Sequence, residues 1–312
     1  MPELKTSPQL IAASEAPYQS IVIGAGVVTT VAALAAVYYL NRSADVNVMG
    51  WYLDYLLPAG AILVGLAAGS GYGIASWFTG TKIRRRLLAS IVILQLLAYA
   101  GAEYLEFASL GPVHLPGETH ILTFPEYFDY EARTFAWKKE DGKTGEPLGE
   151  WGYLFRGLEV AGFTLGALIV PAVLFRKPYC EKCQVYMRTR SLGKIAASVP
   201  IRRVKKSDIS GQQQYAQEQD NAYKAASEQI QKLCTCGAGG DIDGYRAALV
   251  PLAEKKKGLL KLPKRLGVNL VRCPRCDSAY LQTQLITGRG KKMKITDLER
   301  TELPQGFSTQ AT

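Results

Sequence analysis

Leu174-Phe-Arg-Lys-Pro-Tyr-Cys-Glu-Lys-Cys183 is the stretch at which two kinds of chemistry meet. An apolar run ends at Phe175, and the first of two Cys-x-x-Cys pairs begins at Cys180. Arg176 and Lys177 stand where a basic step marks the end of a membrane span. Cys180 and Cys183 then have the spacing of a metal-binding knuckle. The chain before this point reads as membrane, and the chain after it as an aqueous domain.

Working back from it, Gly157–Phe175 is an apolar run interrupted by Glu159. Ile21–Leu40 is 20 residues without a charge, the length needed to cross about 30 Å of hydrocarbon as a helix. Two further spans are expected at 58–78 and 87–107, separated by the basic cluster Lys82-Ile-Arg-Arg-Arg86. Gly65, Gly69 and Gly73 in the second span are four apart, on one helical face. Small residues at that spacing let helices approach closely in lipid, so this face is expected to pack within the bundle.

Two basic clusters, Arg84–Arg86 and Arg176–Lys177, fall on the same side of a four-span chain. The positive-inside rule makes that side cytoplasmic, with both termini, and residues 109–150 the outer loop. This loop carries eight acidic against four basic side chains. Its stretch Phe124–Phe135 mixes aromatic and acidic positions in the manner of a short amphipathic helix. The first 17 residues, with Glu3, Lys5, Glu15 and three prolines, lack the order of a secretory leader.

Ionisable residues in a span are functional candidates by default, because burying their charge is costly. Glu103, Glu106, Glu159 and Asp54 all fall toward the outer face, and Arg156 lies one turn from Glu159. They are expected to form a partly hydrated cluster paired with Arg156. The sharper reading, a cation or proton entry site at Glu103 and Glu159, lacks an acidic residue in the inner half to continue a relay. His114 and His120 read as ordinary loop residues.

Beyond Phe175 the composition changes. Residues 176–312 hold 26 Lys and Arg against 12 Asp and Glu, a net of +14, whereas residues 1–175 carry a net of −4. All six cysteines lie here, as Cys180/Cys183, Cys234/Cys236 and Cys273/Cys276. Close pairing in a cytosolic domain favours metal or redox chemistry over a disulfide framework. Strand-like alternation follows both Cys-x-x-Cys pairs, and Gly288-Arg-Gly290 supplies a turn into a further strand. Two knuckles on hairpins are the pattern of a zinc ribbon with a four-thiolate structural Zn²⁺ site. A redox dithiol would instead place its first cysteine at a helix N-terminus.

The knuckles are 89 residues apart, so an inserted subdomain is required. Tyr215, Ala222, Ala226, Ile230 and Leu233 recur at helical spacing in a Gln-rich run, and Gly237–Gly240 are expected to break it. Asp241 then caps a second helix carrying Tyr245, Leu249 and Leu252. The insert, about 209–257, is expected to project as a helical hairpin, with Cys234 and Cys236 in its turn as additional thiols outside the site. Lys255, Lys256, Lys257, Lys261, Lys264 and Arg265, interleaved with leucines, are candidates for contact with anionic lipid.

Ala68-Gly-Ser-Gly-Tyr-Gly73, Gly152–Gly166 (GYLFRGLEVAGFTLG) and Pro178-Tyr-Cys-Glu-Lys-Cys183 together resemble uncharacterised bacterial multi-pass membrane proteins with a cytoplasmic zinc-ribbon-like tail. The resemblance implies a bacterial cytoplasmic membrane and no activity or catalytic residue.

The sequence therefore reads as a membrane all-α four-helix bundle (18–175, after a tail 1–17) joined to a small α+β zinc-ribbon-like domain (176–312) with an inserted helical hairpin. The expected function is a membrane-anchored binding or assembly module, with a protein partner at the cytoplasmic domain. A small oligomeric transporter or channel component and a membrane-tethered thiol oxidoreductase stay open beside it, as does a homo-oligomer. No hydrolytic triad or phosphate-cradling glycine loop is visible. Nucleic acid is not an expected partner, because aromatic residues are not interleaved with the cations.

Overall fold

A computed structural model describes residues 8–44, 46–54, 56–114, 120–136, 145–202, 208–253, 259, 262–288 and 290–307. The chain divides into two compact units, 1–177 and 178–312.

The first unit is helical: α1 (Pro8–Ala44), α2 (Ala59–Thr79), α3 (Arg85–Ser109), α4 (Phe124–Thr134) and α5 (Trp151–Phe175). Four helices, counted from Tyr18 in α1 and with α2, α3 and α5, are long and apolar enough to cross a membrane. They extend past the expected spans, so that Arg85 and Arg86 form the first turn of α3 and Arg156 lies inside α5.

The glycine face of α2 is turned onto α5. A methyl group added at Gly65 would overlap the carbonyl of Phe163, and one at Gly69 the carbonyl of Ala167. Backbone therefore lies against backbone, the close approach that small residues permit where lipid supplies no hydrophobic drive between helices. The other side of α2 meets α1, where Thr29 donates to the Ala68 carbonyl at 2.6 Å. Gln95, buried in mid-span, donates to Thr30 Oγ1 at 2.9 Å.

α4 is the amphipathic helix expected within residues 109–150. Thr123 and Glu126 form a reciprocal capping box that satisfies its first amides. Its aromatic face packs on α3, with Phe107 tilted against Tyr127 at a centroid distance of 5.2 Å.

The second unit begins with a two-stranded knuckle, β1 (Tyr179–Cys180) and β2 (Val185–Tyr186). β3 (Arg188–Ala196), β4 (Lys264–Arg272), β5 (Ala279–Thr287) and β6 (Lys294–Leu303) form one antiparallel sheet in that order. Between β3 and β4 run α6 (Ile209–Gly239) and α7 (Ile242–Ala253).

This hairpin does not project. Ala226, Ile230 and Leu233 of α6 and Tyr245, Ala248 and Leu252 of α7 pack on Leu266, Val268, Leu270 and Leu281 of the sheet. Each fully buried large side chain contributes about 1.5–3 kcal/mol, so the helices stay on the face that lets them share a core. α6 also runs through Gly237 and Gly239 and stops only at Gly240, which takes a left-handed φ of 76°. The Asp241 side chain accepts from the Gly244 amide at 2.9 Å and caps α7, as the sequence implies.

Gly69→Leu is expected to lower stability by about 1–3 kcal/mol or to block folding through overpacking. Gly101→Leu, with open space around its Cβ, is the control that leaves it unchanged. Thermal unfolding in detergent compares the two, and equal midpoints would remove the α2–α5 seam as a determinant.

Candidate metal centre and buried charge cluster

Cys180, Cys183, Cys273 and Cys276 come together from the two knuckles, with their sulfurs all within 4.8 Å of one another. Cys180 Sγ lies 3.8 Å from Cys276 Sγ. A tetrahedron with metal–sulfur bonds of about 2.3 Å has edges of about 3.8 Å, so the spacing fits a four-thiolate ion.

The two knuckles share a backbone device. Gln184 follows Cys183 with φ 52°, and Asp277 follows Cys276 with φ 55°. Each left-handed residue turns the chain out of the knuckle and into the next strand. In the second knuckle the Arg275 amide donates to Cys273 Sγ at 3.4 Å, the kind of outer bond that orients a ligand. Arg272 holds Asp277 through Nε at 3.0 Å and Nη2 at 2.5 Å. Gln184 has no such ion pair among the described residues.

Electrostatics separates the thiols. The Ser278 hydroxyl and amide bring Cys276 down to about 6. The hydrogen bond to Cys276 holds Cys183 up at about 12, and burial raises Cys273. Like charges this close oppose further ionisation, and a bound cation removes that opposition.

Cys234 and Cys236 lie in the last turns of α6, not in the hairpin turn. Cys234 is buried in the core shared with the sheet, and burial raises its pKa. Neither joins the four-thiol group. Lys255, Lys256, Lys257 and Lys261 lie outside the described residues. Lys264 opens β4, and Arg265 is buried, its Nη2 donating to the Gly288 carbonyl at 3.1 Å. Arg265 is therefore a buried sheet residue and not a lipid-facing cation; from Arg265 to Val268 β4 is buried on both faces.

The helical unit has its own cluster, centred on Arg156. Its guanidinium meets Glu131 at 2.8 Å, Glu159 at 3.2 Å and Glu103 at 3.6 Å. Tyr99 also donates to Glu159, at 3.4 Å. Glu106 lies on the same side, within reach of Asn41 Nδ2 at 3.5 Å. Glu131 and Tyr99 were not evident from sequence. Their signals were the acidic side of the amphipathic helix and the i+4 step from Tyr99 to Glu103. Asp54 takes a left-handed φ of 50° in the turn before α2, and among the described residues it makes no ion pair with Arg156. His120 faces Glu126 at 3.1 Å.

No protein-family model, curated protein or solved structure matches the chain.

Gln184→Gly is expected to raise stability by about 1 kcal/mol, because glycine takes a left-handed φ without the Cβ penalty. A chemical-denaturation midpoint that stays or falls would contradict this. Arg156→Leu strands buried carboxylates and is expected to cost about 3–5 kcal/mol. The triple variant Arg156→Leu/Glu103→Gln/Glu159→Gln should recover part of the loss. No recovery would show that Arg156 acts by packing alone.

Proposed function

We propose that this is a membrane-anchored binding or assembly module whose sheet unit is stapled by a structural Zn²⁺. The observation that carries the reading is the four-thiol group, to which two knuckles contribute two sulfurs each. Four thiolates complete a tetrahedral shell and leave no position for substrate or water, which favours a structural role over catalysis. All-sulfur ligation favours zinc among the common divalent ions. The zinc-ribbon description belongs to this reading. Cys180 and Cys183 would hold the ion from the first knuckle, Cys273 and Cys276 from the second.

The thiol oxidoreductase alternative has less support. The redox dithiol sits at a helix N-terminus, whereas Cys180 ends β1 and Cys273 follows β4, and both pairs are drawn into one group. For a transporter, the Arg156 cluster is the natural entry. Yet Ile91, three turns along α3 from Glu103, is buried and apolar, and the guanidinium already serves three carboxylates. The cluster is better suited to holding α3, α4 and α5 together.

The basic clusters support an orientation with both termini in the cytoplasm and α4 outside. A protein partner, anionic lipid or a second copy of the chain would then meet the sheet unit.

Metal analysis of the full chain, purified reduced and without chelator, tests the proposal. One zinc per chain is expected, with Cys273→Ser losing the ion and lowering the unfolding midpoint. A folded, metal-free protein with reversible Cys180–Cys183 oxidation would overturn it and favour redox chemistry.

A further inference from the structure

The sheet unit holds a cleft of about 740 Å³ between α6 and the outer strands, away from the four thiols. That volume is within the range of small-molecule sites. Ile230, Cys234, Leu266 and Thr283, all buried, form its floor, and Leu298 and Glu299 form its outer wall.

The wall depends on an irregularity in β6. Asp297 pairs with Gln284 and Glu299 with Thr283, leaving Leu298 as an extra residue. In a regular strand neighbouring side chains alternate between faces; a bulge breaks the alternation. Here it turns Leu298 and Glu299 to the same side, and both line the cleft. Thr283 stabilises the arrangement by accepting from the Glu299 amide and donating to the Glu299 carbonyl, each at 3.1 Å. A bulge of this kind re-aims side chains toward a site.

The chemistry of the lining is selective. Glu299 is its one charged side chain, in a unit with 24 Lys and Arg against 12 Asp and Glu, a net of +12. Among the described residues Glu299 makes no ion pair. Apolar surface lies opposite it on Ile230 and Leu266 and beside it on Leu298, with hydroxyls from Thr283 and Thr301 also in the lining. A carboxylate beside an apolar floor suits an ammonium group attached to a short hydrocarbon. An anionic ligand would meet the Glu299 charge, and a neutral one would leave it unused.

We propose that the cleft between α6 and the bulged β6 binds a small organic ammonium ligand, its cation on Glu299 and its hydrocarbon part over Cys234, Ile230 and Leu266. The site is independent of the zinc reading.

Cys234 on the floor is a built-in reporter. The full-length chain carrying Cys236→Ser, in detergent and with its metal content measured, is reacted with a small thiol reagent. Butylammonium, butyrate and butanol are compared as protecting agents. Butylammonium is expected to slow Cys234 modification saturably, at least fivefold, and the other two to have little effect. Glu299→Gln should abolish the difference between butylammonium and butanol while leaving the unfolding midpoint unchanged. Thr235→Arg places a cation at the rim and should remove butylammonium protection in a second background. Equal protection by all three probes, no saturable protection by any, or an effect that survives both substitutions would overturn the proposal. Loss of zinc with butylammonium protection retained would overturn the structural-zinc reading alone.

Discussion

Four sulfurs within 4.8 Å of one another cannot all carry charge without a cation among them. The sheet unit is built around that constraint. Antiparallel pairing of β3 with β4 sets Arg188 opposite Arg272, so the residues just before β3 lie beside those just after β4. Cys180 and Cys183 precede one strand, and Cys273 and Cys276 follow the other. The pairing itself thus creates the repulsion that a tetrahedral ion would relieve. Stability and metal affinity are then two aspects of one equilibrium, because thiols dispersed in the unfolded chain form no site.

The helical unit answers the same problem with a different cation. Arg156 is an always-charged planar donor that can serve several carboxylates at once. It joins Glu103 of α3, Glu159 of its own helix and Glu131 of α4. Removing water from so many charges is expensive, and the attraction among them repays the cost only when every partner is in place. The close backbone contact of α2 with α5, at Gly65 and Gly69, fixes the helix that carries Arg156. Packing by small residues and pairing of charges therefore support one another.

Features that depend on neighbouring residues were legible in the sequence. Uniform apolar runs gave the four long helices, and local Cys-x-x-Cys spacing identified the residues of the four-thiol group. Features that depend on distant contacts were not. Glu131 reads as one acid among eight in the outer loop; only the docking of α4 brings it to Arg156. The stripe of Ala226, Ile230 and Leu233 on α6 was legible, but its spacing does not say that the hairpin docks on the sheet. Gly237 and Gly239 looked like a break, yet a helical glycine costs only about 1 kcal/mol. Gly237 also lies close to the Leu303 side chain, where a Cβ would crowd it. Arg265 was grouped with its basic neighbours, whereas β4 is covered on both faces from residue 265 to 268.

The 89 residues between the knuckles are compatible with a shared metal site, and the topology shows why. Ala196 pairs with Arg265 at the end of the β3–β4 ladder opposite the cysteines. Chain added between these strands leaves at that far end, so its length does not enter the distance between the knuckles. What the insert changes is the core. A ribbon of β-strands alone would expose Leu266, Val268 and Leu281; α6 and α7 cover them. The cover is incomplete beyond α6, where the bulge at Leu298 bends the last strand and leaves a cleft. One end of the sheet is thus committed to holding the fold together, and the face beneath α6 is left with room for a ligand.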